Sequence, residues 1–170
     1  GKLKYNKTAN LVNVDPAKKR YIPKKGDLVI GFIRDIGFKK WDIDINSPFD
    51  AKLPLSLASR DFISDEEFET YFKIGDAILA RVANVEKKVF AFLTMVEPHT
   101  HRLNTGRIIE VNPAAVSKII GLGGETVRSI VAETGCKITV GQNGRIWIDG
   151  PLEGFLKAVD MIREIESTYD

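Results

Sequence analysis

The residues best suited to chemistry in this 170-residue chain are Gly121-Leu122-Gly123-Gly124, which separate two short segments of helical apolar periodicity. Glycine lets a backbone turn tightly and approach another molecule closely. A helix that starts directly after such a loop aims unpartnered amides and the positive end of its dipole at the loop mouth, which suits a phosphate. Lys118 before the loop and Arg128 one turn after it could add positive charge, and either reads equally well as a solvated helix residue. An isolated Gly-x-x-Gly is usually only a helix break, so its meaning depends on the elements around it.

No constellation for catalysis accompanies the loop. His99 and His101 have no cysteine near them and read as exposed imidazoles, not metal ligands. Asp61, Asp65, Glu66, Glu67 and Glu69 form a run on and before a predicted helix, the pattern of a solvated face. Cys136, the single cysteine, lies among apolar residues of a predicted strand and reads as an inert core thiol. No catalytic residue, metal or cofactor is expected.

The net charge of +2 conceals an uneven distribution. Residues 1–23 hold six Lys or Arg against one Asp, residues 24–98 eleven against thirteen, and residues 104–170 seven against nine. A duplex-DNA binder usually carries a basic patch and a high domain pI. Neither of the longer regions has that excess, so any nucleic-acid partner is expected to be single-stranded. No apolar run approaches the roughly 20 residues of a membrane-spanning helix, and the start lacks the apolar stretch of a signal peptide. A soluble, cytoplasmic protein without a membrane partner is expected.

These residues must be positioned by two domains. Leu11, Val12 and Val14 suggest a brief strand, and residues 1–22 read as the C-terminal part of a small N-terminal β domain that is cut short. Residues 23–98 show five short strands, Leu28–Ile36, Trp41–Ile45, Lys52–Leu55, Ile78–Val85 and Val89–Met95, the number and spacing of an OB-type barrel. Ser64 with Glu67 makes a capping box for a helix that presents Phe68 and Phe72. Pro98–Asn104 reads as a polar connector. Residues 104–170 then run strand, helix, helix, strand, strand, helix, with Asn112-Pro113 starting one helix, Gly135 ending the next and Asn143-Gly144 turning a hairpin. Leu152, Phe155, Leu156, Val159 and Ile162 mark the core stripe of the last helix.

In that order of elements, and preceded by Ile119-Ile120, the glycine loop resembles that of a type I KH domain, and the resemblance implies a clamp for about four nucleotides of single strand. Many KH loops carry a Lys or Arg between the glycines, where this chain has Leu122 and Gly123. Gly26-Asp27-Leu28-Val29-Ile30-Gly31, Leu53-Pro54-Leu55-Ser56 and Gly75-Asp76-Ala77-Ile78-Leu79-Ala80 resemble the strand starts of an S1-type OB domain, which implies RNA binding on exposed aromatics in a positive groove. Asp42 stands where such domains often expose an aromatic. The candidates left on the barrel are Phe38, Lys39, Lys40, Phe49, Lys52 and Arg81, while Trp41 alternates with Ile43 and Ile45 and reads as core. Trp147 lies between Ile146 and Ile148, so if those two face the KH helices it points the opposite way, and a ring there is expected to pack on the barrel or on another subunit.

The S1-then-KH order, Ile22-Pro23-Lys24-Lys25-Gly26-Asp27 at the barrel entrance, the string Trp41 to Pro48 and above all Gly141-Gln142-Asn143-Gly144-Arg145-Ile146-Trp147-Ile148 closely resemble the ribosomal RNA-processing protein 4 family, the RNA-binding cap subunits of the archaeal exosome. The resemblance covers residues 20–166. It implies a non-catalytic subunit, present in three copies on a hexameric exoribonuclease ring, that captures adenine-rich RNA tails and directs them into phosphorolytic 3′–5′ degradation or processing. Family members begin with a small β domain that docks on the ring. Two other readings remain: a free-standing S1/KH regulator of RNA, and a structural cap whose glycine loop touches no RNA.

Overall fold

The computed structural model describes residues 10–12 and 21–168. After β1 (Asn10–Val12), the strands β2 (Leu28–Ile36), β3 (Lys40–Asp44), β4 (Asp50–Pro54), β5 (Ala77–Glu86) and β6 (Phe90–Thr94) follow the five expected runs to within two residues. They close in the order β2-β3-β4-β6-β5 and back to β2, antiparallel except for β4 with β6, which is the OB arrangement. Period-two alternation sends Trp41, Ile43 and Leu53 inward and Lys40, Asp42 and Lys52 outward.

Between β4 and β5 the capping box forms as expected. The Ser64 hydroxyl accepts from the Glu67 amide and the Glu67 carboxylate accepts from the Ser64 amide, starting α1 (Asp65–Tyr71). This helix plugs one end of the barrel. Phe68 and Phe72 lie 4.6 and 4.9 Å from the fully buried Trp41 ring. The expected polar connector is more than a linker. Its residues His101–Leu103 form β7 along the edge of β5, Leu103 is buried, and the Arg102 guanidinium lies over the rings of Tyr71 and Phe72 while donating to the Tyr71 carbonyl (2.6 Å).

The second domain contains β8 (Arg107–Glu110), α2 (Val116–Ile120), α3 (Glu125–Thr134), β9 (Lys137–Val140), β10 (Arg145–Asp149) and α4 (Leu152–Ser167), the KH type I order. The Asn112 side chain accepts from the Ala114 amide at the single turn that leads into α2, and Gly135 closes α3 in the left-handed region. The sheet order is β1-β8-β10-β9, with the helices on one face. Phe155, Ala158 and Ile162 hold α4 to the sheet; Leu152 and Leu156, expected in that stripe, are more than half exposed because the stripe follows the i, i+3, i+7 spacing from Phe155. The strand β1 pairs in parallel with β8, at the edge of this sheet. Val14 lies outside the described residues. Among the described residues, no helix is long and apolar enough to cross a membrane.

The two domains share a third buried cluster. Ile30, Phe32, Ala77, Leu79 and Leu103 from the barrel wall meet Ile108 and the partly buried Trp147 from the back of the KH sheet. Trp147 donates from Nε1 to the Thr105 carbonyl (2.6 Å). Where β3 leaves the first half of β2 uncovered, the tip of the β9–β10 hairpin takes its place. The Gln142 amide donates to the Leu28 carbonyl (2.7 Å), and the wholly buried Asn143 side chain accepts from the Ile30 amide (3.2 Å) and donates to the carbonyls of Ile30 (2.8 Å) and Ile45 (3.0 Å). Beside it, Arg145 donates to Glu110 (3.0 Å) and to both the carbonyl (2.7 Å) and the carboxylate (3.1 Å) of Asp44.

Removing Arg145 strands two carboxylates at this junction. Arg145→Ala is expected to cost about 3–5 kcal/mol in urea unfolding, the usual penalty for breaking a buried ion pair from one side. Burial favours the neutral form of Asp44, but the Arg145 guanidinium, the Asn46 amide and the more distant Arg34 outweigh it and hold the carboxyl below its ordinary value. Stability from a carboxylate depressed on folding is complete above the unfolded value of about 4 and is lost as the pH falls through the folded one. The difference in urea midpoint between the wild-type chain and Asp44→Asn is therefore expected to hold from about pH 7 to about pH 4 and to shrink as the pH falls further; a gap that stays constant below about pH 4 would remove Asp44 from the acid response.

Candidate nucleic-acid interface

The glycine loop is an ordered turn. The Gly121 amide donates to the Ser117 carbonyl (2.9 Å), ending α2, and the Gly124 amide donates to the Gly121 carbonyl (3.1 Å), so α3 starts within three residues. Gly121 has φ +78, and a Cβ there would fall 2.7 Å from both the Cβ and the amide nitrogen of Thr126; no other residue fits. Gly123 has φ +61 but faces open space, with nothing within 4 Å of a built Cβ. Between them the Leu122 side chain is 91% exposed. The Arg128 guanidinium bends back and donates to the Gly123 carbonyl (2.7 Å), and Lys118 is exposed one turn before the loop. The structure thus brings Gly121, Leu122, Gly123, Gly124, Lys118 and Arg128 together on one end of the KH helices.

The barrel candidates do not form one group. Phe38, Lys39 and Lys40 are exposed at the tip of the β2–β3 hairpin, where the Lys39 ammonium lies 5.4 Å from the centre of the Phe38 ring. Phe49 is partly buried and packs on the barrel core. Lys52 is paired with Asp42 and lies 3.4 Å from Asp50; its hydrogen bond to Asp42 raises its pKa most, burial opposes the rise, and the charges of Asp42 and Asp50 add to it. Arg81 donates to the carbonyls of Gly26 (2.9 Å) and Pro98 (3.3 Å), tying the barrel entrance to the start of the connector. Fixed roles therefore occupy Phe49, Lys52 and Arg81, and residue type alone does not show them, because the carbonyls that hold Arg81 and the Asp42 carboxylate that holds Lys52 come from other parts of the chain.

One exposed aromatic was absent from the sequence reading. Phe62, in the segment before α1, is 88% exposed and comparable with Phe38 at 83%. Its neighbours Asp61 and Ser64 belong to a helix-start pattern, and that pattern says nothing about which way a preceding ring points. With Leu122, these are the most exposed large apolar side chains among the described residues.

The family profile of the KH domain matches residues 106–164, and that of the RRP4 S1 domain matches residues 20–61. Exosome complex component Rrp4 of Thermofilum pendens is 36% identical, over 98% of this chain and 76% of its own length. The Thermoplasma volcanium protein of the same name is 38% identical over 91% of this chain, and the Methanosarcina mazei one 37% identical over 92%. The chain spans 65% and 60% of the lengths of these last two relatives. A crystal structure of a candidate exosome complex RNA-binding protein superposes with a TM-score of 0.70 at 30% identity, covering 88% of this chain and 97% of that one. An S1 barrel locked to a KH domain by the Asn143–Arg145 hairpin, together with these relatives, places the chain in the family of exosome complex component Rrp4.

Proposed function

We propose that this chain is a non-catalytic RNA-binding cap subunit of an exosome, acting in the cytoplasm to hold single-stranded RNA, adenine-rich 3′ tails among them, and to pass the 3′ end to a phosphorolytic exoribonuclease ring. The observation that carries this reading is the loop from Gly121 to Gly124. Its backbone is open to a second backbone at Gly123, the first turn of α3 begins directly behind it, and Lys118 and Arg128 flank it. The names of the relatives support the exosome partner, and the family resemblance supports three copies on a hexameric ring.

The grip of this loop on phosphate is modest. No cation stands between the glycines, and Arg128 is partly engaged with the Gly123 carbonyl. Several copies around one pore would raise the effective concentration of a second contact and compensate for a weak first one.

Gly123→Asp introduces a negative charge into open space at a left-handed position that Asp tolerates. It is expected to lower the thermal midpoint modestly, by the strain of a non-glycine residue in the left-handed region, and to weaken binding of single-stranded oligoadenylate about tenfold, or about 1.4 kcal/mol, measured by fluorescence anisotropy. Equal affinities for the two proteins would sink the KH role and favour a structural cap. Gly121→Ala, by contrast, is expected to lose binding and about 1–3 kcal/mol of stability together. A version extended to the full length of the relatives is expected to co-elute with the nuclease ring in size-exclusion chromatography; separate elution would refute the cap assignment.

A further inference from the structure

A barrel of this kind ordinarily meets nucleic acid on the face of its second and third strands and on the loop that joins its first two. Here that face is β3 and β4, and its own charges fill it: Asp42 and Asp50 pair with Lys52, and Arg34 lies 3.9 Å from Asp50. Features suited to a ligand lie instead at the end of the barrel. A cleft of about 530 Å³ runs between the tip of the β2–β3 hairpin and the segment from Leu55 to Ile63, within the range of about 300–1,000 Å³ typical of small-ligand sites.

The cleft is built, not incidental. The Leu55 amide donates to the Lys39 carbonyl (2.9 Å), which holds Lys39 at φ +55 against the opposite wall. On the far side the Met95 amide donates to the Leu57 carbonyl (2.8 Å) and the Arg60 guanidinium to the Val96 carbonyl (2.8 Å). Ala58 and Ile63 anchor the segment in the barrel core. Phe62, between a charged residue and that anchor, keeps its ring in solvent at the lip. Lys39 and Arg60 line the walls against a single acidic lining residue, Asp61.

A fixed cleft with a free aromatic ring and two cations has the make-up of a platform for one base and its phosphate, since stacking tolerates any base and the cations offset the backbone charge. The two cations favour a phosphate-bearing ligand over an apolar peptide. We propose that this cleft binds one unstacked nucleobase of single-stranded RNA, with Phe62 stacking on the base and Lys39 contacting the phosphate. The inference rests on the RNA-binding reading above and adds Phe62, from the segment before α1, as a stacking residue beside the β2–β3 loop.

The test compares oligoadenylate with an abasic oligomer of equal length, each titrated against the wild-type chain, Phe62→Ala, Phe62→Trp and Gly123→Asp. Phe62→Ala is expected to melt like the wild type, because its ring makes little contact, and to bind oligoadenylate about tenfold more weakly. Its affinity for the abasic oligomer is expected to stay unchanged, so the preference for bases shrinks. Phe62→Trp is expected to restore affinity and to show quenching of the new indole on RNA addition. If Phe62→Ala binds as the wild type does while Gly123→Asp is weakened, the cleft proposal falls and the RNA-binding reading stands. If the wild-type chain binds neither oligomer, both fall. Loss of co-elution with the nuclease ring at unchanged RNA affinity would make the cleft a protein-docking surface and overturn the proposal.

Discussion

The junction between the domains depends on one guanidinium. Arg145 is almost wholly buried and joins a carboxylate of its own sheet, Glu110, to a carboxylate and a carbonyl of the barrel at Asp44, with its plane near the Phe32 ring. A planar fork of fixed donors can meet such partners at once where a lysine could not. Asn143, two residues earlier, completes the backbone pairing of β2 that β3 leaves open. Burying these groups is costly unless each finds its partners, so this sort of junction specifies one relative placement of two domains more than it adds net stability. The position of the glycine loop relative to the barrel follows from that geometry.

Much of the architecture was legible in the sequence. The barrel strands, the capping box at Ser64 and the order of the KH elements follow from periodicity and turn residues, which are local signals. The junction was only half legible. The runs Leu28–Ile33 and Ile146–Ile148 are apolar without alternation, the mark of strands buried on both faces, and the flanked position of Trp147 pointed to a second packing surface. Which residues would cover it was not readable, because Asn143 bonds across 113 positions to Ile30 and Arg145 across 101 to Asp44. The connector is opaque for the same reason: Arg102 and Leu103 make sense only against Tyr71, Phe72 and β5.

The candidate site shows a similar division. The glycine loop announces itself because glycine is a backbone requirement that a sequence displays directly. For the barrel candidates the sequence shows residue type, and type does not reveal whether a cation is engaged. Lys52 and Arg81 are; Lys39 and Lys40 stand at an exposed tip. Phe62 was hidden by the opposite effect, a polar neighbourhood that reads as a helix start.

Hairpin tips are ordinarily where a chain absorbs insertions, because nothing depends on their length. The tip from Gly141 to Gly144 is an exception. A Cβ on Gly141 would lie 3.2 Å from the Ile30 amide, and one on Gly144 2.6 Å from the Val111 carbonyl, so neither side chain nor extra residue has room. An added or lost residue is therefore expected to be tolerated at the exposed Lys87-Lys88 turn between β5 and β6, and to be resisted in the interval from Val140 to Arg145.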